Sequence, residues 1–240
     1  MSVEEERVIH LLEGLRRLRT ASILFIVSSL ILGGSYLLLI PLVFSSLTYT
    51  SLSFSTNISS VNLCAAKVSL VSASSQPYPL ILLVISLSVM LLSVALSLVA
   101  LFGFLIPSFS KLEKYDKSAF GTPATLVRVG YIAGFILLAV GFIFVLASVP
   151  FPGSYGLAMA VFLIIELVGF ILRLIGYIGL AIGMFRLNDR LGEGTFLAAG
   201  ILFIIGMFLP VLSFIGWILV LVGTGHAIDK LKSRISLAET

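Results

Sequence analysis

A chain of 240 residues that is 59% hydrophobic and 11% charged cannot cover its own surface in water, since a soluble domain carries about 25% charged residues. A bundle of membrane-spanning helices takes up most of the length, so no separate soluble domain of ordinary size fits. The net charge of +4 does not point to nucleic acid, because the basic residues sit in short clusters beside apolar runs, where they set topology and meet anionic lipid head groups.

The first element is an amphipathic helix over residues 1–20. Ser2 and Glu5 have capping-box spacing. Glu4, Glu5 and Glu6 occupy its first turn and Arg16, Arg17 and Arg19 its last, which suits the helix dipole at both ends. Val8, Leu11, Leu12, Leu15 and Leu18 fall on one apolar face, so the helix is expected to lie in the cytoplasmic interface and lead into the first span. Acidic residues where a signal peptide would be basic, and an apolar run too long for its core, mark that run as a retained transmembrane helix.

Spans are expected at about 21–44, 80–106, 124–148 and 157–185, each at least the roughly 20 residues needed to cross about 30 Å of hydrocarbon. Residues 45–78 form a Ser/Thr-rich loop with one charge, Lys67, and a formal glycosylation sequon at Asn57. Alternation in Leu52–Ser55 and Lys67–Leu70 predicts short strands there. Cys64 is the only cysteine, so no internal disulfide forms. Lys and Arg flank the first span, the joint after the second (Lys111, Lys114, Lys117, Arg128) and the end of the fourth (Arg186, Arg190). The positive-inside rule then puts the N-terminus in the cytoplasm and the Ser/Thr-rich loop outside. The joint Lys111–Lys117 reads as a solvated inner loop.

Five spans would place the basic cluster Lys230, Lys232 and Arg234 outside, against that rule. An internal repeat resolves the conflict. Ile175, Gly176, Ile178, Gly183, Asp189 and Leu191 reappear as Ile215, Gly216, Ile218, Gly223, Asp229 and Leu231, at a constant spacing of 40, and Arg190 matches Lys230. If both copies run in the same direction, the last apolar run holds two helices, 195–209 and 211–228, turning at Leu209-Pro210-Val211. The expected fold is an all-α integral membrane bundle of six helices, with five as the alternative if Pro210 only kinks one span. A basic cytoplasmic tail follows at 229–240.

Glu166 and Arg173 are the ionisable residues well inside an apolar run, seven positions apart and so on one helix face. Charges at such depth cost a few kcal/mol, about 2.5–3.5 on insertion scales, and are expected to face protein or a wet cavity. The pair is either an ion or proton site or a structural contact that fixes packing register. Gly169, Gly176, Gly179 and Gly183 beside it, with Gly130 and Gly134 in the third span, offer surfaces for close helix packing. They predict that the fourth helix is central, with Glu166 and Arg173 directed inward. No phosphate-binding loop, metal-ligand pattern or nucleophile with a base at recognisable spacing is found, so neither an enzyme nor a cofactor is expected.

The stretch Glu13-Gly14-Leu15-Arg16-Arg17-Leu18, the Ser/Thr-rich loop, and Leu209-Pro210 followed by Ile215-Gly216-Trp217 and Val222-Gly223 resemble a family of uncharacterised multi-pass membrane proteins, a domain of unknown function, found in thermoacidophilic archaea. The resemblance implies no activity and transfers no functional residue. Two function classes follow from the residues. One is a non-catalytic subunit or scaffold in the plasma membrane, both termini cytoplasmic, with membrane lipids and other chains or its own copies as partners. The other is a small transporter or channel using Glu166 and Arg173.

Overall fold

Helices account for nearly all of the computed structural model, which describes residues 3–55, 78–148 and 155–238. Helix α1 spans Val3–Ser55, and α2 (Tyr78–Leu98) passes through a π-helical stretch, Val99–Leu105, into α3 (Ile106–Tyr115). Then come α4 (Lys117–Ser148), α5 (Tyr155–Leu191), α6 (Gly194–Gly206) and α7 (Pro210–Ala238). Counting α2 and α3 as one continuous rod, the described residues form six helices. Five segments are long and apolar enough to cross a membrane: Glu4–Leu37, Val84–Tyr115, Lys117–Val145, Gly156–Leu191 and Val211–Ser233. The chain therefore has the make-up of an integral membrane protein.

The amphipathic segment runs unbroken into the first apolar run, and Leu11, Leu15 and Leu18 of its apolar stripe are buried against protein. Two expectations need correction. No strand occurs among the described residues, and Leu52–Ser55 belongs to α1. Four residues of alternation do not override a helix already propagating, which gains a hydrogen bond with each residue added. Lys67–Leu70, Asn57 and Cys64 lie outside the described residues. Finally, the joint Lys111–Lys117 is not a loop, since the single residue Asp116 separates α3 from α4. Asp116 is extended (φ −148°, ψ 95°), and its carboxylate Oδ1 accepts from the Ala119 N–H at 3.1 Å and the Ser118 hydroxyl at 2.6 Å. That is an N-cap on α4, and it lets two helices meet at a one-residue corner.

The chain forms two compact units. Residues 27–97, the later part of α1 and most of α2, make one. Serines join its helices: Ser28 Oγ donates to the Ser93 carbonyl at 3.0 Å, and Ser93 Oγ returns the contact to the Ser28 carbonyl at 2.8 Å. Between apolar helices in hydrocarbon, such reciprocal bonds supply attraction that leucines cannot, because lipid tails are as apolar as leucine.

The other unit comprises residues 1–26 and 98–240. Its core gathers Leu15 and Leu18 of α1, Leu105 before α3, Phe109 and Leu112 of α3, Phe120 and Val127 of α4, Leu180, Met184 and Leu187 of α5, Phe196 and Phe203 of α6, and Trp217 and Val220 of α7. Helices α4 and α5 run antiparallel, with Gly130 against Gly176 and Gly141 against Phe162. Gly200 of α6 receives Phe185 of α5. Along α6 and α7, Gly206 meets Ser213, Phe203 meets Gly216, and Phe196 meets Gly223. Those pairings describe a hairpin closing at Met207–Leu209, with Pro210 as the first residue of α7, where its missing N–H costs no hydrogen bond. Hence α5 and α7 run in the same direction, and the last apolar run is two helices. At 13 residues, α6 is about 20 Å long.

Candidate functional site

Helix α5 carries both intramembrane charges. Seven residues is nearly two turns, so Glu166 and Arg173 stand one above the other. Arg173 Nη2 donates to Glu166 Oε1, and its Nε reaches the Gly169 carbonyl at 3.4 Å. Room for the arginine stem comes from α4: a Cβ on Gly134 would lie 2.7 Å from Arg173 Cγ. The pair is thus formed at the α4–α5 seam, with the side chains still 31% (Glu166) and 24% (Arg173) exposed. Glu166 Oε2 is buried and has no hydrogen-bond partner among the described residues.

The glycines around the pair are points of backbone contact. A Cβ on Gly130 would sit 2.3 Å from the Gly176 nitrogen, and one on Gly179 would sit 2.6 Å from Leu126 Cβ. Gly169 lies against the Gly134 carbonyl, Gly176 against the Tyr131 ring, and Gly183 against the Phe109 ring. Helix α5 is nevertheless central only in its second half. Leu180, Met184 and Leu187 are fully buried, whereas Leu157, Leu163, Ile164 and Leu167 are more than half exposed. The physical reason is placement: the α6–α7 hairpin already turns at Met207–Leu209, so the first half of α5 packs on α4 alone, through Phe162 and Ile165. The ion pair sits where this one-sided packing begins.

Sequence reasoning passed over two groups next to it. Tyr177, one turn beyond Arg173, packs edge-on against Tyr131 at 5.7 Å, and Ser213 of α7 is close to it. Polar residues thus follow the pair from α5 to α7. The i+4 spacing of Tyr177 from Arg173 was the available signal. The arrangement can hold a proton or a cation on its spare carboxylate oxygen, or it can fix helix register. Among the described residues no group of three or more potential ligands could hold a metal ion.

The end of the bundle opposite the Pro210 turn is a second polar region. Lys111 pairs with Glu13 at 2.7 Å and Arg128 with Glu113 at 3.6 Å, while Arg190 pairs with Asp116. Lys230 reaches both Glu193 at 3.3 Å and the Leu191 carbonyl at 3.2 Å. These contacts join the exits of the two repeats, Asp189–Leu191 and Asp229–Leu231, around a cleft of about 390 Å³. An adjoining cleft of about 520 Å³ is lined by Arg7, Lys114, Tyr115, Asp116, Lys117, Ser118 and Arg190. The Ser118 hydroxyl, with the Ala119 N–H and the nearby Arg190 charge, holds the Asp116 carboxyl below the usual aspartate range. Neither cleft is lined by Glu166 or Arg173.

No curated protein and no solved structure matches the chain. The model of one family, the proteins of unknown function DUF973, matches residues 12–240, and the chain belongs to that family.

Proposed function

We propose that this chain is a non-catalytic subunit or scaffold of a membrane assembly, docking through the first half of α5 and the facing part of α4. The observation that carries this reading is the Glu166–Arg173 pair, about a quarter to a third exposed on an otherwise apolar helix face. Lipid against such a pair costs a few kcal/mol, about 2.5–3.5 per charge near mid-bilayer. A second transmembrane surface, another chain or another copy, removes that contact with hydrocarbon. The basic clusters at the Asp116 end favour a plasma-membrane orientation with both termini in the cytoplasm. The resemblance to proteins of acid-living archaea fits an outer segment, residues 45–78, that has no carboxylate.

Native mass spectrometry of the full chain from mild detergent tests the reading. A stable complex is expected for the wild type and its loss for Leu163→Arg, a substitution on the exposed face one turn before Glu166. A monomer in every detergent and in nanodiscs would sink it. The unpartnered Glu166 Oε2 favours a second reading, a small transporter or channel in which this carboxyl takes up a proton or cation. In proteoliposomes that reading requires a proton or cation flux that Glu166→Gln abolishes while the protein still inserts and purifies.

A further inference from the structure

We propose that the 520 Å³ cleft at the corner between α3 and α4 is a binding site for a phosphate-bearing anion, with a membrane lipid head group as its source. Four cationic side chains from four helices line it: Arg7 of α1, Lys114 of α3, Lys117 of α4 and Arg190 of α5. Its one carboxylate, Asp116, is already engaged by Arg190, the Ser118 hydroxyl and the Ala119 N–H. Arg7, Lys114 and Lys117 make no ion pair among the described residues, whereas Lys111, Arg128 and Lys230 near the same end each have one. Folding thus brings three uncompensated positive charges to one concavity. Like charges held together repel, and an anion with several acceptor oxygens converts that repulsion into charge-assisted hydrogen bonds.

Position selects the class of ligand. The apolar segments Val84–Tyr115 and Lys117–Val145 meet at Asp116, so the cleft lies where their hydrocarbon-compatible length ends and phosphate groups of a bilayer begin. Its volume suits a head group, being within the range of about 300–1,000 Å³ typical of small-molecule sites. The N-terminus of the 32-residue α4 adds the positive end of a helix dipole to the same opening. Tyr115 lines this cleft and the neighbouring one. The site is independent of the assembly reading, since it lies at the other end of α5 from the exposed face.

The test uses the full chain in nanodiscs of phosphatidylcholine with or without phosphatidic acid, and native mass spectrometry to read retained lipid. Arg7→Gln/Lys114→Gln/Lys117→Gln removes three charges that support no ion pair among the described residues. It is expected to weaken phosphatidic acid binding about a hundredfold, given the attraction of each basic residue at a membrane surface. Arg16→Gln/Arg19→Gln/Arg186→Gln removes the same charge from outside the cleft and is expected to keep binding within about threefold of the wild type. Retained lipid that inorganic phosphate does not displace identifies the head group, and displacement by millimolar inorganic phosphate identifies the free anion at the same site. Equal losses in the two triple variants, or no loss in the first, would overturn the proposal. Melting midpoints measured in phosphatidylcholine alone show whether each variant is folded.

Discussion

Helix α7 repeats the second half of α5 with contacts of a similar kind. Gly176 and Gly183 of α5 take up the rings of Tyr131 and Phe109, and Gly216 and Gly223 of α7 take up those of Phe203 and Phe196. In both helices a glycine without a Cβ admits an aromatic ring from a neighbour, so packing density comes from paired shapes. That matters in hydrocarbon, where burial of apolar surface gives little net drive and contact quality decides association. The copies diverge at both ends. Where α5 continues through Phe170, Gly169 and Glu166, the equivalent stretch of chain turns at Leu209, and Gly206 already belongs to α6. Where α5 stops at Gly192, α7 carries Lys232 and continues. The repeated part is the closely packed core. The unrepeated extension of α5 is the half-covered segment that holds the charge pair.

Substitutions that force the two backbones apart should have the largest effect. Gly130→Val places a methyl-bearing carbon against the Gly176 backbone, and Gly206→Val does the same against Ser213. Each is expected to cost about 3 kcal/mol or more, seen as loss of monodisperse protein in size-exclusion chromatography. If Gly206→Val is tolerated and Gly130→Val is not, the shorter hairpin is not built as the longer one is.

The next effect separates the charged extension from its uncharged counterpart. Arg173→Leu strands the Glu166 carboxylate, and about 2–4 kcal/mol of thermal stability should be lost and largely regained in Glu166→Leu/Arg173→Leu. At the equivalent place on α7, Ser213→Ala should cost under about 1 kcal/mol. Equal costs would mean that the pair contributes nothing distinctive to folding.

Smaller changes probe the other divergence. Gly192 has φ +69° and its N–H bonds to the Asn188 carbonyl at 2.8 Å, ending α5. Gly192→Ala should destabilise by about 1 kcal/mol, measured as a drop in melting midpoint. The smallest effect is electrostatic. Asp116 titrates below its unfolded value, so its contribution is present above about pH 4 and is lost as pH falls through the folded pKa. The carboxylate is part-buried but its partner Arg190 is about half exposed, so solvent screens the pair and its worth should stay below about 1 kcal/mol. Melting curves between about pH 5 and 2 should therefore fall slightly more for the wild type than for Asp116→Asn.

Much of this architecture was legible in the chain. Apolar length located the long helices, and the copied Asp189-Arg190-Leu191 exit pointed to the turn at Pro210. The extent of α5's burial was misread, although the signal was present: no glycine stands between Gly156 and Gly169, so that stretch lacks the glycine contacts of the second half. The pairings at the Asp116 end could not be read at all. Glu13 and Lys111 meet because α1 and α3 are side by side, a fact of tertiary structure that spacing does not encode. Leu52–Ser55 failed for the opposite reason, a local pattern too short to outweigh the helix preceding it.

Trp217 is the chain's single tryptophan, and its indole stacks on Phe25 of α1 at 4.4 Å while meeting the Phe203 ring edge-on at 4.8 Å. An asymmetric, rigidly held indole between two rings gives a strong near-ultraviolet circular dichroism band, and the tryptophan fine structure at its long-wavelength edge has one origin here. It reports optically on whether α1 is seated on the α6–α7 hairpin, without any label and in any detergent. Helix content in the far ultraviolet can survive the loosening of such a bundle, whereas this signal cannot. The protein carries its own spectroscopic gauge of tertiary order at the point where its first helix meets its last.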